Sequence, residues 1–345
     1  VVKGSVIALD QFRGREAAAL MVDGQLEELL IAESEALPPE TICRGKLGRP
    51  VKGMGGAFVD LPGGESGFLR QTKGLRPGAN VLVQVGGSSE PGKALPLSTR
   101  LLFKSRYAIV TPDAPGLNIS RSIEDEDIRA DLAALAQAGM QGAAPGLGLI
   151  LRSACETASD EVIAEDIARM RALTEAVLAD MDGKPEVLVD APAPHLAAWR
   201  DWPAPDTLDD SAGSFARHGV REAIDALLVP EVPLTGGGHM VIEPTRALIA
   251  VDVNTGADTS PAAGLKANIA AMRALPRQLR LRGLGGQVLI DVAPYAKKER
   301  HILEQAMKAA FRREGRDIVL AGWTPLGNFE LTRKRDRKPL TQVLA

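Results

Sequence analysis

The sequence has 345 residues, 45% hydrophobic, 25% charged and only 3% aromatic. That is enough chain for two to four compact units with aliphatic, alanine-rich cores. It holds no apolar run long enough to cross a bilayer, and the opening "VVKGSVIALDQFRG" does not read as a signal peptide. The net charge of −3 is unevenly spread: residues 240–345 carry 18 Lys+Arg against 10 Asp+Glu, the remainder 23 against 34. A basic final third on an acidic chain points to an anionic partner, nucleic acid first, with a solvated charged face as the plainer alternative. Cys43 and Cys155 are too few for a disulfide framework or a zinc knuckle, and His195, His218, His239 and His301 lack metal-ligand spacing. Two reduced thiols in a cytoplasmic protein are expected.

In chain order, residues 1–36 predict strands over "KGSVIALD" and "EAAALMVDGQLEELLIAE", with Asp23-Gly24 as a two-residue hairpin turn. So small a piece needs a sheet completed elsewhere. Residues 41 to about 103 alternate short strands with glycine turns, the pattern of a small barrel. Phe58 and Phe68 fall on two of those strands, near Lys46, Arg49, Lys52 and Arg70. Aromatic rings with basic neighbours can stack on unpaired bases, although Phe on a strand is more often core.

Residues 122–183 predict two helices around the short apolar strand "GLGLILRSA". In the second helix, Ile163, Ile167, Met170, Leu173, Val177 and Met181 keep the spacing of one buried face, with Ser159 at its start and Gly183 at its end. Pro185 to Ser214, rich in Pro, Ala and Asp, reads as a connector with little regular structure, pinned to a core by Trp199 and Trp202. In the final third, Leu248 to Val253 is a strand and Leu265, Ile269, Met272, Leu275 and Leu279 trace a helix closed by Gly283. "GGQVLIDV" is a second strand, Lys298 to Glu314 a helix followed by Gly315, and "DIVLAGW" a third strand. This alternation implies parallel strands with crossover helices. Pro276 should kink or break the first of those helices.

The chemistry follows from the two strand ends. Asp252 and Asp291 lie near the C-terminal ends of successive strands, so neighbouring parallel strands would bring both carboxylates to one rim, about 5 Å apart. Asn254 shares the side-chain parity of Asp252 and could orient a water or a phosphate oxygen. Two carboxylates and an amide oxygen are hard ligands suited to Mg²⁺ or Mn²⁺ rather than zinc. The plainer reading of Asp-x-Asn-Thr-Gly is turn and capping chemistry. Arg273, Arg277 and Arg280 at helical spacing, Lys297, Lys298 and Arg300 after Asp291, and "LTRKRDRK" would surround the site with positive charge.

Two glycine-rich stretches carry less. "GSSEPGKA" nearly matches a phosphate-binding loop, but Ala94 stands where a Ser or Thr should hold the metal, and Pro96 opposes the following helix. Gly236-Gly237-Gly238 reads as a turn into the strand "HMVIEP".

Three long stretches in order, "GGGHMVIEPTRALIAVDVNTG", "LPRQLRLRGLGGQVLIDV" and "TPLGNFELTRKR", resemble the ribonuclease E/G family of endoribonucleases. "CRGKLGRPVKGMGGAFVDLPGGESGFL" resembles its S1 RNA-binding barrel and "GLGLILRSA" its 5′-end sensor. The resemblance implies a multidomain α/β fold. An RNase H-like subdomain (1–36 and a reduced 184–239) would be split by an S1, OB-type barrel (37–105) and a 5′-sensor (106–183), followed by a DNase I-like catalytic domain (240–345). It also implies that Asp252 and Asp291 hold the metal with Asn254 beside them in the catalytic site. Arg152 and Ser153 would bind a 5′-monophosphate, and Phe58, Phe68 and Lys93 would bind RNA.

The resemblance further implies Mg²⁺-dependent hydrolysis of single-stranded RNA to 5′-phosphate and 3′-hydroxyl ends, in RNA processing or decay. The sequence departs from the family at Ser153, usually Thr, and at Pro325, where larger members place an arginine. It also ends at Ala345, where the family continues into a Cys-x-x-Cys motif that shares zinc between subunits. The expectation is therefore no structural zinc and no zinc-linked dimer. The rival expectation is an RNA-binding protein or regulator without catalysis.

Overall fold

The structure, a computed structural model, describes residues 3–88, 92–312, 314 and 318–345. The chain divides into two compact units, residues 1–31 with 205–345, and residues 32–204.

The first unit begins with the antiparallel strands β1 (Ser5–Phe12), β2 (Arg15–Val22) and β3 (Gln25–Ile31). Two-residue turns join them at Arg13-Gly14 and Asp23-Gly24, and all four residues have positive φ, as the twist of a tight hairpin requires. The first of these turns carries no strong sequence signal, since Arg rarely takes that conformation. The sheet is completed by β14 (Thr207–Asp209), which pairs with β1 in parallel, Val6 opposite Thr207 and Ala8 opposite Asp209. Helices α4 (Ser214–Arg217) and α5 (Val220–Leu228) bury Phe215, Val220 and Ile224 against Val6, Ala8, Ala17 and Ala19.

The same unit contains a second sheet of β15 (Glu231–Pro233), β16 (His239–Pro244), β17 (Ile249–Asn254), β18 (Gly286–Asp291), β19 (Ile318–Trp323) and β20 (Phe329–Arg333). Its order among the described residues is β15-β16-β17-β18-β20-β19. Helix α6 (Ala263–Leu281) carries the chain from β17 to β18, and those strands pair in parallel. Met272, Leu275 and Leu279 of α6, with Met307 and Phe311 of α7 (Arg300–Phe311), share a core with Ile249, Val251, Val253, Val288 and Ile290. A short helix α8 (Leu340–Val343) closes the chain, and its Leu340 joins the core of the first sheet.

Several expectations need correction here. The third predicted strand, β19, does not pair with β18, because β20 lies between them and is antiparallel to both. Helix α6 runs unbroken through Pro276, which is buried in it. Packing of its apolar face outweighs the missing backbone donor. Helix α7 starts at Arg300, after a tighter turn over Lys297–Glu299, and Gly315 lies outside the described residues.

In the second unit, β4 (Ile42–Val51), β5 (Gly56–Asp60), β6 (Ser66–Leu69), β8 (Leu95–Ser98) and β7 (Asn80–Val85) close into a barrel through the β4–β7 pairing, and β13 (Glu186–Val189) adds outside β4. Beside it, β9 (Phe103–Lys104), β10 (Ala108–Thr111), β11 (Gly116–Ile119) and β12 (Gly148–Leu151) form a sheet packed by α1 (Glu126–Gly139) and α2 (Asp160–Ala179). The α1 N-terminus is capped by Asp125, which accepts from the backbone of Asp127 and Ile128. Buried Arg44 of β4 ties the end of α2 to the barrel. It pairs with Asp180, pairs with Glu186 at 2.6 Å and donates to the carbonyl of Lys184. Helix α2 ends at Ala179, so Met181 is exposed rather than part of the buried stripe.

The connector also departs from expectation. It contains β13, β14 and α3 (Pro194–Asp201). Trp202 is buried as expected, whereas Trp199 is 46% exposed.

One buried polar side chain fixes the turn after β18. Asn268 of α6 is fully buried, donating to the carbonyl of Ala293 at 2.8 Å and accepting from its N–H at 2.9 Å. One turn earlier, Gly264 allows α6 to meet the same loop, since a Cβ there would lie 1.8 Å from the Pro294 carbonyl oxygen. Asn268→Ala orphans both backbone groups and should lower the unfolding free energy in urea by about 2 kcal/mol. Lys266→Ala, exposed on the same helix, should change it by less than about 0.5 kcal/mol. Burial pushes the thiols of Cys43 and Cys155 up to about 11. Both are therefore protonated at pH 8, and alkylation followed by mass spectrometry should modify them only once the protein unfolds.

Candidate active site

The strand β17 alternates cleanly. Ile249, Val251 and Val253 point into the core beneath α6, so Ala250, Asp252 and Asn254 point to the opposite face. In β18, Val288 and Ile290 are buried and Asp291 is exposed on that same open face. The parallel register sets Asp252 directly beside Asp291. Neighbouring strands lie about 5 Å apart, so the two carboxylates leave the sheet side by side on one face. The Asn254 side-chain amide donates to Asp252 Oδ2 at 2.8 Å. Gly256, with φ of 63°, turns the chain away, and its backbone lies against the β15–β16 hairpin so closely that a Cβ would meet the Gly237 oxygen at 2.4 Å.

Among the described residues, no cationic side chain pairs with Asp252 or Asp291, and no cluster of three His, Cys, Asp or Glu side chains could hold a metal. Two adjacent, exposed, unneutralised carboxylates repel each other by about 1 kcal/mol even in water. A hard divalent cation would remove that repulsion, and so small a set of protein oxygens leaves coordination positions for water and phosphate. The donor set fits Mg²⁺ or Mn²⁺. His239, to which sequence reading gave no role, lies opposite Asn254 in the β16–β17 register.

The basic residues divide in two. Arg273, Arg277 and Arg280 belong to α6, on the helix side of the sheet, away from the carboxylates. Arg280 is consumed by Glu27 at 3.2 Å, Glu28 at 2.7 Å and Glu314, and Arg277 donates to Gln25. These side chains tie α6 to β3 rather than line the open face. Lys297 and Lys298, by contrast, are exposed in the loop that follows Asp291, and Arg300 stacks 4.6 Å over the Trp323 ring.

In the barrel, Phe58 and Phe68 face each other across β5 and β6, edge to face at 5.3 Å. Their neighbours Ala57, Val59 and Leu69 fill the interior, so both rings lie on the outer surface, with Phe58 40% exposed. The Phe68 ring rests on Gly56, where a Cβ would approach it to 2.7 Å. Lys46, Arg49, Lys52 and Arg70 are exposed, and Lys93 is exposed before β8. The near phosphate-loop match "GSSEPGKA" falls partly outside the described residues.

Arg152 follows β12 and Ser153 opens a short turn, exposed. The sequence reading placed a terminal phosphate at this pair. In the structure the Arg152 guanidinium donates to the carbonyls of Ser105 at 2.6 Å and Arg200 at 3.0 Å, and to Asp201 Oδ1 at 2.8 Å. Burial opposes ionisation of Asp201, yet the Arg200 and Arg152 guanidiniums hold its carboxyl below the usual carboxylate range.

Two comparisons bear on this geometry. Residues 103–209 and 205–336 match the ribonuclease E/G family. Ribonuclease E of Synechocystis sp. is 28% identical, over 95% of this chain and 56% of its own length. Ribonuclease G of Haemophilus influenzae is 27% identical over 94% of this chain and 78% of its own length, and ribonuclease G of Escherichia coli K12 is 27% identical over 95% and 80%. The chain thus spans little more than half the length of the ribonuclease E relative and about four-fifths of the ribonuclease G relatives. Since the matched stretches cover well over half of the sequence, the chain belongs to the ribonuclease E/G family.

Proposed function

We propose that the protein is a metal-dependent endoribonuclease that hydrolyses single-stranded RNA within the chain, leaving 5′-phosphate and 3′-hydroxyl ends, in RNA processing or decay. The observation that carries this reading is the side-by-side register of Asp252 and Asp291 on an open sheet face, in a member of a ribonuclease family. On this reading the barrel is the S1-type module. The sheet of β1–β3 with β14 is the RNase H-like part, and the sheet bearing the carboxylates is the DNase I-like part.

Asp252 and Asp291 would hold one Mg²⁺ or Mn²⁺. When bound, such an ion supplies positive charge to the phosphodiester and acidity to a water molecule. Asn254, anchored through its amide to Asp252, presents an oxygen that orients the attacking water. The open face admits an extended strand, and Lys297 and Lys298 counter backbone charge beyond Asp291. Phe58 and Phe68 offer a stacking surface that accepts any base, while Lys46, Arg49, Lys52, Arg70 and Lys93 attract the phosphates.

Asp252→Asn and Asp291→Asn should each lower the cleavage rate of an unstructured oligoribonucleotide by about 10²-fold or more, with RNA affinity retained by fluorescence anisotropy. Chelation should abolish cutting, and Mg²⁺ or Mn²⁺ should restore it. Undiminished cutting by both variants would remove the site. Tight RNA binding without ion-dependent cutting would leave a binding protein instead. Phe58→Ala with Phe68→Ala should weaken RNA binding by roughly 1–3 kcal/mol per unstacked base without altering the cleavage step at saturating RNA. Affinity of the parent protein should fall steeply as salt rises.

A further inference from the structure

The turn of the β15–β16 hairpin is pressed against the end of β17. Gly236 and Gly237 take positive φ there, 103° and 93°. Leu234 closes the turn, donating to the Gly238 carbonyl at 2.8 Å and accepting from the Gly237 N–H at 3.2 Å. A Cβ at Gly238 would lie 2.5 Å from the Asn254 carbonyl oxygen, so only glycine permits this approach. The hairpin thereby holds the first residue of β16, His239, at a fixed place beside the two carboxylates.

The ring faces the carboxylate side of the sheet. Val232, Met240 and Ile242 are buried in the core beneath α6, so Glu231, Pro233, His239, Val241 and Glu243 turn to the opposite face. His239 lies directly opposite Asn254 and diagonal to Asp252. It therefore stands one strand away from Asp252, on the side opposite Asp291. The side chain is half-buried, and among the described residues no hydrogen bond or ion pair engages it. The other three histidines each have a partner, His218 in Asp209 and His301 in the Lys298 carbonyl.

This flank of the carboxylate pair is otherwise hostile to a polyanion. Of the side chains that β15 and β16 turn to it, two are glutamates, and only His239 has an N–H to donate. The imidazole keeps one in either protonation state. Glu243 lies about 13 Å further along β16, so repulsion directs a phosphate toward the hairpin end. Beyond Asp291, on the other flank, Lys297 and Lys298 are exposed. Donors thus bracket the carboxylates along a line that crosses the strands.

We propose that His239 is an RNA-binding residue of the active site, its ring N–H donating to a phosphate oxygen of the linkage that passes on the β16 side of Asp252. The inference deepens the endoribonuclease reading and rests on it for the substrate.

The experiment uses the full chain and a single-stranded oligoribonucleotide cut at one defined bond. His239→Ala and His239→Phe should each lower kcat/KM by roughly tenfold or more, the size of a hydrogen bond to a charged group. Phe keeps a ring and its bulk but donates nothing, so full activity in that variant overturns the proposal. It also carries the test should His239→Ala fail to fold. His239→Gln, which restores an N–H, should stay within about threefold of the unaltered protein. The decisive comparison replaces each linkage in turn by an uncharged methylphosphonate on a 2′-O-methyl sugar, with the 2′-O-methyl phosphodiester as control. At one linkage the replacement should slow the unaltered protein by roughly tenfold and slow His239→Phe no further. Equal slowing of both proteins at every linkage overturns the proposal, and is what a ring needed only for folding would give. If no RNA is cut, the nuclease reading fails, and the same oligonucleotides titrated by fluorescence anisotropy still test the contact. Affinity lost at one linkage by the unaltered protein and not by His239→Phe supports it, and equal sensitivity overturns it.

Discussion

The parallel register between β17 and β18 is the constraint on which the proposed chemistry depends. A slip of one residue would turn Asp291 toward α6 and expose Ile290 instead. The apolar residues at alternate positions of both strands resist that slip, because their core face is already filled by Met272, Leu275 and Leu279. The connection between the strands adds a second restraint. Asn268 and Gly264 hold the backbone just past Asp291 against the first turns of α6, so the helix that covers one face also fixes the end of the strand that serves the other. The two acidic side chains gain nothing from each other. They are held together by packing beneath them, and on the proposed reading a bound cation would relieve the resulting repulsion.

The distribution of positive charge has a different logic from its total. Arg280 of α6, Arg333 of β20 and Arg337 beyond it are absorbed by internal carboxylates: Arg280 by three glutamates, Arg333 by Asp336, Arg337 by Glu28. They stiffen the first unit and leave little field for a ligand. On the barrel, Arg44 is buried and paired, whereas Lys46, Arg49, Lys52 and Arg70 are exposed, on the module that carries the Phe58–Phe68 pair. Around α3, Glu40 pairs with Lys104 and Arg200, and Asp201 pairs with Arg200 and Arg152. These paired arginines of the final third are structural, whereas Lys297 and Lys298 stay exposed in the loop after Asp291.

Local pattern made much of this legible. Alternation exposed the faces of β17 and β18, Asp-Gly marked a tight hairpin, and the apolar stripe of α2 was visible from Ile163 to Val177. Long-range pairings were not legible. Nothing in "FELTR" announces that β20 inserts between β18 and β19, because that position is decided by the neighbours it finds. The connector looked irregular because Pro and Ala dilute the pattern, although Pro at the first turn of α3 suits a helix start. Pro276 misled in the opposite direction, since local propensity yielded to burial on both sides of α6. The carboxylate that pairs with Arg152 lies 49 residues away, in a segment without periodicity, so no local pattern announces the pair.

The pairing of β1 with β14 has a consequence for biosynthesis. Ser5 bonds to Asp206, 201 positions later, and the whole second unit is threaded between them. At about 5–20 residues per second, a ribosome needs roughly 10–40 s to deliver the missing strand. Throughout that interval the N-terminal meander exposes an unfilled edge and an alanine-lined face, while the intervening unit can complete itself as a continuous stretch. The nascent chain can therefore complete the 32–204 unit before the unit that brackets it, and β1 waits for β14 before its edge is sealed.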